Sequence, residues 1–236
     1  MKGILALACA LALMTACSQS EPGEAKLSPE DAAQAATLLE QVHGAGKLEN
    51  WEGAETLADQ LRTQYPASPA ANTLASELPA LRIKAEASRD QRRLRDLWTY
   101  QSTPVGKGQQ RTATMYSRTP PIGEGEPAIR PDAQLVLRDH PAWGRSAYLL
   151  FSQSRFHCGS PCAMQISFDE GAPIRYAGKQ ADSGKGPALF IEDEVKFQQQ
   201  MSQAKRVIIR LPEGSGSLKS LAFEVGGFRA ERYDKP

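Results

Sequence analysis

The chain offers few residues whose chemistry could drive a reaction, and their spacing matches no catalytic set. Its 236 residues include four cysteines and three histidines. The sequence has no His-Glu-x-x-His zinc motif and no Gly-x-Ser-x-Gly nucleophile turn. The isolated candidates are better explained by turns, loops and helix ends: His43, His140, His157, Ser215 in Gly-Ser-Gly, Gly184-Lys185-Gly186 and Glu192-Asp193-Glu194. We therefore predict no catalytic residue, no metal site and no cofactor.

Cys17 follows an N-terminal segment that is typical of a bacterial secretory signal. A charged start at residues 1–2 precedes an apolar stretch at residues 3–14, and two small residues then lead to Cys17. Such a cysteine is where a lipoprotein signal would be cut and the new N-terminus lipidated. We predict a signal peptide at residues 1–16, lipidation at Cys17 and a short polar tether at residues 17–27.

The residue after the predicted lipidation site indicates the membrane in which the protein is anchored. Ser18, rather than aspartate, resembles the lipoproteins that are sent to the outer membrane. Several acyl chains on one cysteine give stable membrane attachment, since each buried CH₂ contributes about 0.8 kcal/mol. We expect a periplasm-facing protein held in the outer membrane by lipid. Met14 stands where a lipobox usually has leucine, which leaves a plain cleaved secretory signal as the alternative.

Cys158 and Cys162 remain once Cys9 and Cys17 are assigned to the signal and the lipid. They flank Gly-Ser-Pro, a sequence with strong turn chemistry, and disulfides persist in an oxidising envelope. A turn of this length can bring two Cα atoms into the range of about 4.4–6.8 Å that a disulfide requires. We predict a structural disulfide. A redox dithiol, or a metal site that uses His157 as a third ligand, stays open as an alternative.

Charge and composition exclude some classes of partner. The chain has 28 Lys and Arg and 27 Asp and Glu, and removal of the signal with Lys2 makes the two totals equal. A net charge near zero argues against electrostatic capture of nucleic acid or anionic lipid. We predict membrane contact through the N-terminal lipid, a protein partner in the envelope, and no nucleic acid.

Residues 28–100 have the pattern of a helical region. Ser28-Pro29 supplies an N-cap and a proline at the first helical position, Gly44 and Gly46 are predicted to end the first helix, and Tyr65-Pro66 the second. The first two helices carry apolar residues at three- and four-residue spacing: Ala35, Leu38, Leu39, Val42, then Trp51, Ala54, Leu57, Ala58 and Leu61.

This helix pair resembles one tetratricopeptide unit, on the basis of Ala54, Ala58 and the exit sequence Tyr-Pro-Ala-Ser-Pro at residues 65–69. The resemblance covers about 34 residues and one copy. A third helical segment follows, in which Pro79 should produce a kink or a restart. Its many arginines are expected to be solvated, although a partner-binding platform is the alternative.

A β-rich region follows a Pro- and Gly-rich connection at residues 101–132, within which one strand is predicted at 109–118. The predicted β-domain spans residues 133–228, with one helix near 193–203, and residues 229–236 form a C-terminal tail. Seven further strands are predicted at 134–138, 146–153, 163–169, 173–177, 188–192, 206–211 and 220–225. The predicted core of this domain comprises Leu149, Phe151, Ile166, Phe168, Phe190, Ile208 and Phe223.

Residues 133–228 resemble the C-terminal β-domain of uncharacterised proteobacterial envelope lipoproteins. The similarity lies in Phe156-His157-Cys158, the run from Gln165 to Gly171, Ala188–Ile191, the step from Phe197 to Arg206, Phe223–Val225 and Gly227. The resemblance implies turn, core and helix-docking roles for these residues and transfers no catalytic residue.

These patterns predict an α+β protein, with a tetratricopeptide-like helical region followed by an antiparallel sandwich- or barrel-like domain with one helix. The leading functional hypothesis is a non-enzymatic, protein-binding or accessory component of the envelope. The alternatives are an envelope hydrolase that acts on cell-wall material and a passive structural or stress-related lipoprotein.

Overall fold

The computed structural model describes residues 27–118, 132–152, 158, 161–180, 186–213 and 217–234. The predictions for the signal, Cys17, the tether, His157, Lys185 and Ser215 lie outside the described residues. Within the described ranges, no helix is long and apolar enough to span a membrane. The chain divides into two compact units, Met1–Pro79 and Ala80–Pro236.

The first unit contains α1 (Pro29–Lys47), α2 (Trp51–Gln64) and the start of α3 (Pro69–Asp96). Ser28 caps α1, because its Oγ accepts a hydrogen bond from the backbone N–H of Asp31 at 3.0 Å. Asn50 caps α2 in the same way through Gly53, at 3.1 Å. The buried side chains follow the predicted stripe: Ala35, Val42, Ala54, Ala58 and Leu61 are each less than 5% exposed.

One prediction for the helices is wrong, and of the kink or restart predicted at Pro79 the restart is wrong. Gly44 and Gly46 do not end α1, which continues to Lys47; the chain reverses at Glu49, whose φ is +57°. Pro79 does not restart α3, which is assigned as one helix from Pro69 to Asp96. Its apolar stripe continues on both sides of the proline, through buried Leu74, Leu78, Leu81 and Ala85, which offsets the lost backbone hydrogen bond.

Among its described residues, the second unit contains nine strands, the end of α3 and three short helices. The strands are β1 (Thr99–Val105), β2 (Gly108–Tyr116), β3 (Ala133–His140), β4 (Gly144–Phe151), β5 (Cys162–Phe168), β6 (Ile174–Gln180), β7 (Ala188–Ile191), β8 (Val207–Glu213) and β9 (Ser217–Phe223). The helices are α4 (Glu194–Met201), a 3₁₀ turn (Val225–Gly227) and α5 (Ala230–Tyr233).

All nine strands form one antiparallel sheet in the order β1-β2-β3-β4-β7-β6-β5-β8-β9. Arg118, just after β2, forms a bridge with Ala222 on β9, so the sheet curls back toward its own far edge. The predicted α+β class, with helices first and an antiparallel sheet after them, is confirmed.

One hydrophobic core lines the inner face of the curled sheet and receives Phe197 and Met201 from α4. The core includes the predicted Leu149, Phe151, Ile166 and Phe223, with Phe168 packed at its margin. Phe190 and Ile208 were predicted inside, but the register places Leu189, Val207 and Ile209 inward instead. A strand exposes alternate residues to opposite faces, so these two side chains lie on the outer face.

The boundaries of the second unit also differ from the prediction. Residues 99–116, partly assigned to a connection, form the β1–β2 hairpin of the sheet. The second half of α3, predicted with the helical region, belongs to the second unit. The tail is anchored, because Tyr233 is 1% exposed and lies in the core cluster.

Candidate binding surface

The outer face of the sheet carries a group of aromatic side chains around one arginine. We name this group the outer-face patch and define it as Arg138, His140, Trp143, Tyr148 and Phe190. Arg138 and His140 lie on β3, Tyr148 on β4 and Phe190 on β7, and Tyr148 pairs directly with Phe190 across the two strands. Trp143 lies in the turn that joins β3 to β4.

Trp143 is the most exposed aromatic side chain of the patch, yet it is held in place. Its ring stacks on the ring of His140 with centroids 3.8 Å apart and an angle of 12° between the planes. His140 is 6% exposed and Trp143 is 71% exposed. His140 is itself fixed, since its Nδ1 accepts a hydrogen bond from the backbone N–H of Ala142 at 3.1 Å. The turn therefore presents an indole to solvent on a buried support.

Arg138 lies between two aromatic rings. Its guanidinium carbon is 5.4 Å from the ring centroid of Trp143 and 5.5 Å from that of Tyr148. Its Nε donates to the hydroxyl of Ser146 at 3.3 Å. Cation–π contacts of this kind hold an arginine in one direction while its charge stays available.

Tyr148 joins Arg138 to the rest of the patch. Its ring lies 5.0 Å from that of Phe190, at an angle of 41°. Burial raises the pKa of the Tyr148 hydroxyl, and the nearby charge of Arg138 opposes that rise. The hydroxyl therefore stays neutral at physiological pH, and the positive charge of the patch comes from Arg138.

The outward strand positions differ strongly in charge from the chain as a whole. Within the bounds of the strands, every charged side chain in register with Tyr148 and Phe190 is basic: Arg138 on β3, Arg175 and Lys179 on β6, and Arg210 on β8. Two acids of the same parity, Asp132 and Glu192, lie just beyond the ends of β3 and β7. Asp139, an acid within the described strands, has the opposite parity. It lies opposite Arg111 of β2 and Arg145 of β4 in the strand register. A protein of nearly neutral composition thus carries a basic sheet face.

A second feature of the same unit is a network of ion pairs around Glu224. Arg93 of α3 donates two hydrogen bonds to this carboxylate, at 2.9 and 3.1 Å, and Arg118 pairs with it at 2.8 Å. The hydrogen bonds of Arg93 to Glu224 and Asp90 raise its pKa. Bidentate pairs of this geometry fix orientation, so the network joins the end of α3 to the sheet.

A cavity of about 470 Å³ lies beside this network, with Asp90, Asp169 and Glu224 among its lining carboxylates. Each of these three is engaged in structure: Asp90 pairs with Arg93, and Oδ1 of Asp169 accepts from two backbone N–H groups, at 2.8 and 2.9 Å. Asp169 thereby holds the turn after β5. The cavity therefore offers no free carboxylate pair from these residues that would favour a hydrolase.

The other candidate residues named from the sequence, where the structure describes them, take part in ion pairs or helix caps. His43 forms an exposed ion pair with Glu77 at 2.8 Å. Asp193 caps α4 by accepting from the backbone N–H of Lys196, and Glu194 lies in the first turn of that helix. In the part of the chain that is described, no three His, Cys, Asp or Glu side chains are grouped as metal ligands.

Cys158 and Cys162 are brought together. Their Cα atoms are 5.2 Å apart and their sulfur atoms lie at bonding distance. Cys162 begins β5 and is 1% exposed, so the pair would attach the preceding segment to the core. The disulfide itself stays a prediction for chemical measurement.

The outer-face patch was missed in the sequence, where His140 was weighed alone and Trp143 was not considered. Its signal is visible in retrospect: Arg138 and Tyr148 occupy the parity opposite to the core residues of two predicted strands, and His140 continues that parity two residues beyond the first of them. The short distance from His140 to Trp143 depends on the turn, which the sequence pattern did not specify.

Comparison with known proteins adds little. No family model matches the chain, and no curated protein is similar to it. Among solved structures, invasion associated protein B from Bartonella henselae is similar, with a TM-score of 0.38 and 13% identity over 56% of this chain and 84% of that chain.

Proposed function

We propose that the protein is an outer-membrane-anchored lipoprotein that acts as a non-enzymatic, protein-binding component of the bacterial envelope. The observation that supports the binding role is Trp143, which is 71% exposed and yet stacked on the buried ring of His140. The anchor rests on the lipobox-like sequence before Cys17.

The composition of the outer-face patch is that of a protein-binding hot spot. Trp, Tyr and Arg are the side chains most enriched among residues that dominate binding energy. Here Arg138 makes a cation–π contact with Trp143 and another with Tyr148. Their positions are set before binding, so these side chains would lose less conformational entropy on association.

The helix pair of the first unit supports the same role. Its α2 buries small residues, among them Ala54 and Ala58, and its sequence resembles one tetratricopeptide unit. Units of this kind commonly present surfaces to other proteins. The engaged carboxylates around Glu224 provide no observation in favour of the hydrolase alternative.

Metabolic labelling tests the anchor. We expect radioactive palmitate to label the wild-type chain and the protein to sediment with outer membranes. Cys17→Ala should abolish the label and release the protein from the membrane fraction. Unlabelled wild-type protein that fractionates as soluble periplasmic protein would contradict the anchor and favour the plain secretory signal.

Capture from native envelopes tests the binding role. Formaldehyde crosslinking of the wild-type protein is compared with that of Trp143→Ser and of Val195→Ser. Val195 is a matched control because it is 65% exposed and lies on α4, which contributes no residue to the patch. We expect one discrete crosslinked protein to be retained by Val195→Ser and lost by Trp143→Ser. Equal recovery from all three would refute a role for the patch.

A further inference from the structure

We propose that the outer-face patch binds a short acidic segment of a partner polypeptide, in which carboxylates flank an apolar side chain. This inference rests on the proposed protein-binding function and adds the chemistry of the partner. Three observations carry it: the charge of the face, the size of the patch and the arrangement of Trp143 beside Arg138.

The charge of the face selects an anionic ligand. Within the strand bounds the outward positions carry Arg138, Arg175, Lys179 and Arg210, and the acids of the same parity, Asp132 and Glu192, lie beyond the ends of β3 and β7. Arg138 forms no ion pair within the described ranges, where its polar contact is the hydroxyl of Ser146. A second copy of this chain would place an identical basic face opposite the first, and that repulsion disfavours self-association through the patch.

The size of the patch selects a short segment over a folded surface. The part of the outer face around the patch covers seven residues of β3, from Gln134 to His140, which extend about 20 Å, and four strand spacings from β2 to β6, which add about 19 Å across. The area is therefore about 400 Å². A stable interface between folded proteins buries about 800 Å² per partner. The patch matches about six residues of extended chain.

The arrangement of the side chains selects the sequence of that segment. The indole of Trp143 offers an apolar surface, and the guanidinium of Arg138 lies 5.4 Å from its centroid. An apolar side chain on Trp143 thus places a carboxylate one or two residues away within reach of Arg138. A sugar ring would also require several polar groups around the indole. His140 is buried under Trp143, with its Nδ1 already bonded to Ala142, and supplies none.

Peptide titration of the full mature protein tests this inference. The probe is the peptide Glu-Glu-Phe-Glu-Glu, and its matched controls replace every glutamate by glutamine or by lysine. Calorimetry gives the affinity. Loss of the tryptophan fluorescence change in Trp143→Phe gives the location, because the chain also contains half-buried Trp51 and buried Trp98.

We expect the acidic peptide to bind about tenfold more tightly than the glutamine peptide, the lysine peptide to show no binding, and affinity to fall with added salt. Arg138→Gln should remove the preference for the acidic peptide, and Arg138→Lys should restore part of it. Arg62→Gln, which removes an exposed cation of α2, should leave the affinity unchanged. Circular dichroism and melting curves establish that each variant is folded.

Equal affinity for the acidic and glutamine peptides would overturn the inference, as would an equal loss in Arg62→Gln. Preferential binding of polygalacturonate, or of vesicles that contain phosphatidylglycerol, would overturn it in favour of a glycan or a lipid surface. These outcomes differ from failure of the proposed function. If an envelope protein is crosslinked in a way that depends on Trp143, the proposed binding function is supported even when the preference for the acidic peptide is absent.

Discussion

Gly227 is the position where a single added methyl group should damage the second unit most. A Cβ at this residue would lie 2.1 Å from the carbonyl oxygen of Leu94 and 2.4 Å from the backbone nitrogen of Arg95. Both contacts are with backbone, which has no flexible end that could move aside. The 3₁₀ turn therefore approaches the end of α3 as closely as only glycine allows.

The magnitude of the effect follows from the displacement that alanine requires. The carbonyl of Leu94 would have to move by about 1.3 Å to reach ordinary contact at 3.4 Å. That movement would strain the hydrogen bond from Nε1 of Trp98 to the carbonyl of Val225, which is 3.3 Å long. Overpacking costs about 1–3 kcal/mol and a weakened hydrogen bond about 1 kcal/mol more. We expect Gly227→Ala to lower the free energy of unfolding by about 3 kcal/mol.

Urea unfolding followed by tryptophan fluorescence measures this change, because Trp98 is buried in the second unit. Gly44→Ala is the matched control: an added Cβ meets nothing within 4 Å in α1, and helix propensity should stabilise the first unit by about 0.5–1 kcal/mol. Gly226→Ala should cost less than Gly227→Ala, since its nearest contact would be 3.2 Å. If Gly227→Ala unfolds within about 0.5 kcal/mol of wild type, the close approach of α3 and the turn is refuted.

Three further predictions concern the second unit. Reduction of the Cys158–Cys162 pair should cost about 2 kcal/mol, because it closes a loop of only five residues; equal melting with and without reductant would mean that no bond forms. Tyr233→Phe should raise the unfolding free energy by up to about 1 kcal/mol, since among the described residues its buried hydroxyl has no hydrogen-bond partner, and a loss of similar size would contradict this. Burial, with the charge of Asp193, raises the pKa of Tyr176 from 10.0 to about 12. The folded state therefore holds this proton more tightly than the unfolded state, and the resulting stability is complete below pH 10 and lost as the pH rises to 12. Tyr176→Phe should flatten the fall in urea midpoint across that pH interval, and an unchanged slope would argue against the shift.

The sequence pattern was sufficient for most of the fold because the relevant signals are local. Caps at Ser28 and Asn50, and alternating apolar residues in β3 to β9, specify element type without knowledge of pairing. β1 was missed for a physical reason. It is an edge strand whose side chains are mostly exposed and which contains Pro104, so it lacks apolar alternation.

Other differences arose where tertiary packing decides between equivalent local patterns. The run Val207-Ile208-Ile209 is apolar at both parities, and only pairing with β5 and β9 determines which residues face the core. The outer-face patch depends likewise on pairing of β4 with β7 and on the turn conformation, where Gly144 adopts a φ of +73°. Neither property can be obtained from spacing along the chain.

Photo-crosslinking from position 143 in intact cells tests the central claim most directly. A benzophenone amino acid replaces Trp143 in one strain and Val195 in another, and both positions are exposed. The account predicts one discrete crosslinked envelope protein from position 143, which disappears when Arg138→Glu is added and is absent from position 195. Crosslinks of equal pattern from both positions, or none from position 143, would contradict a binding role for the outer-face patch.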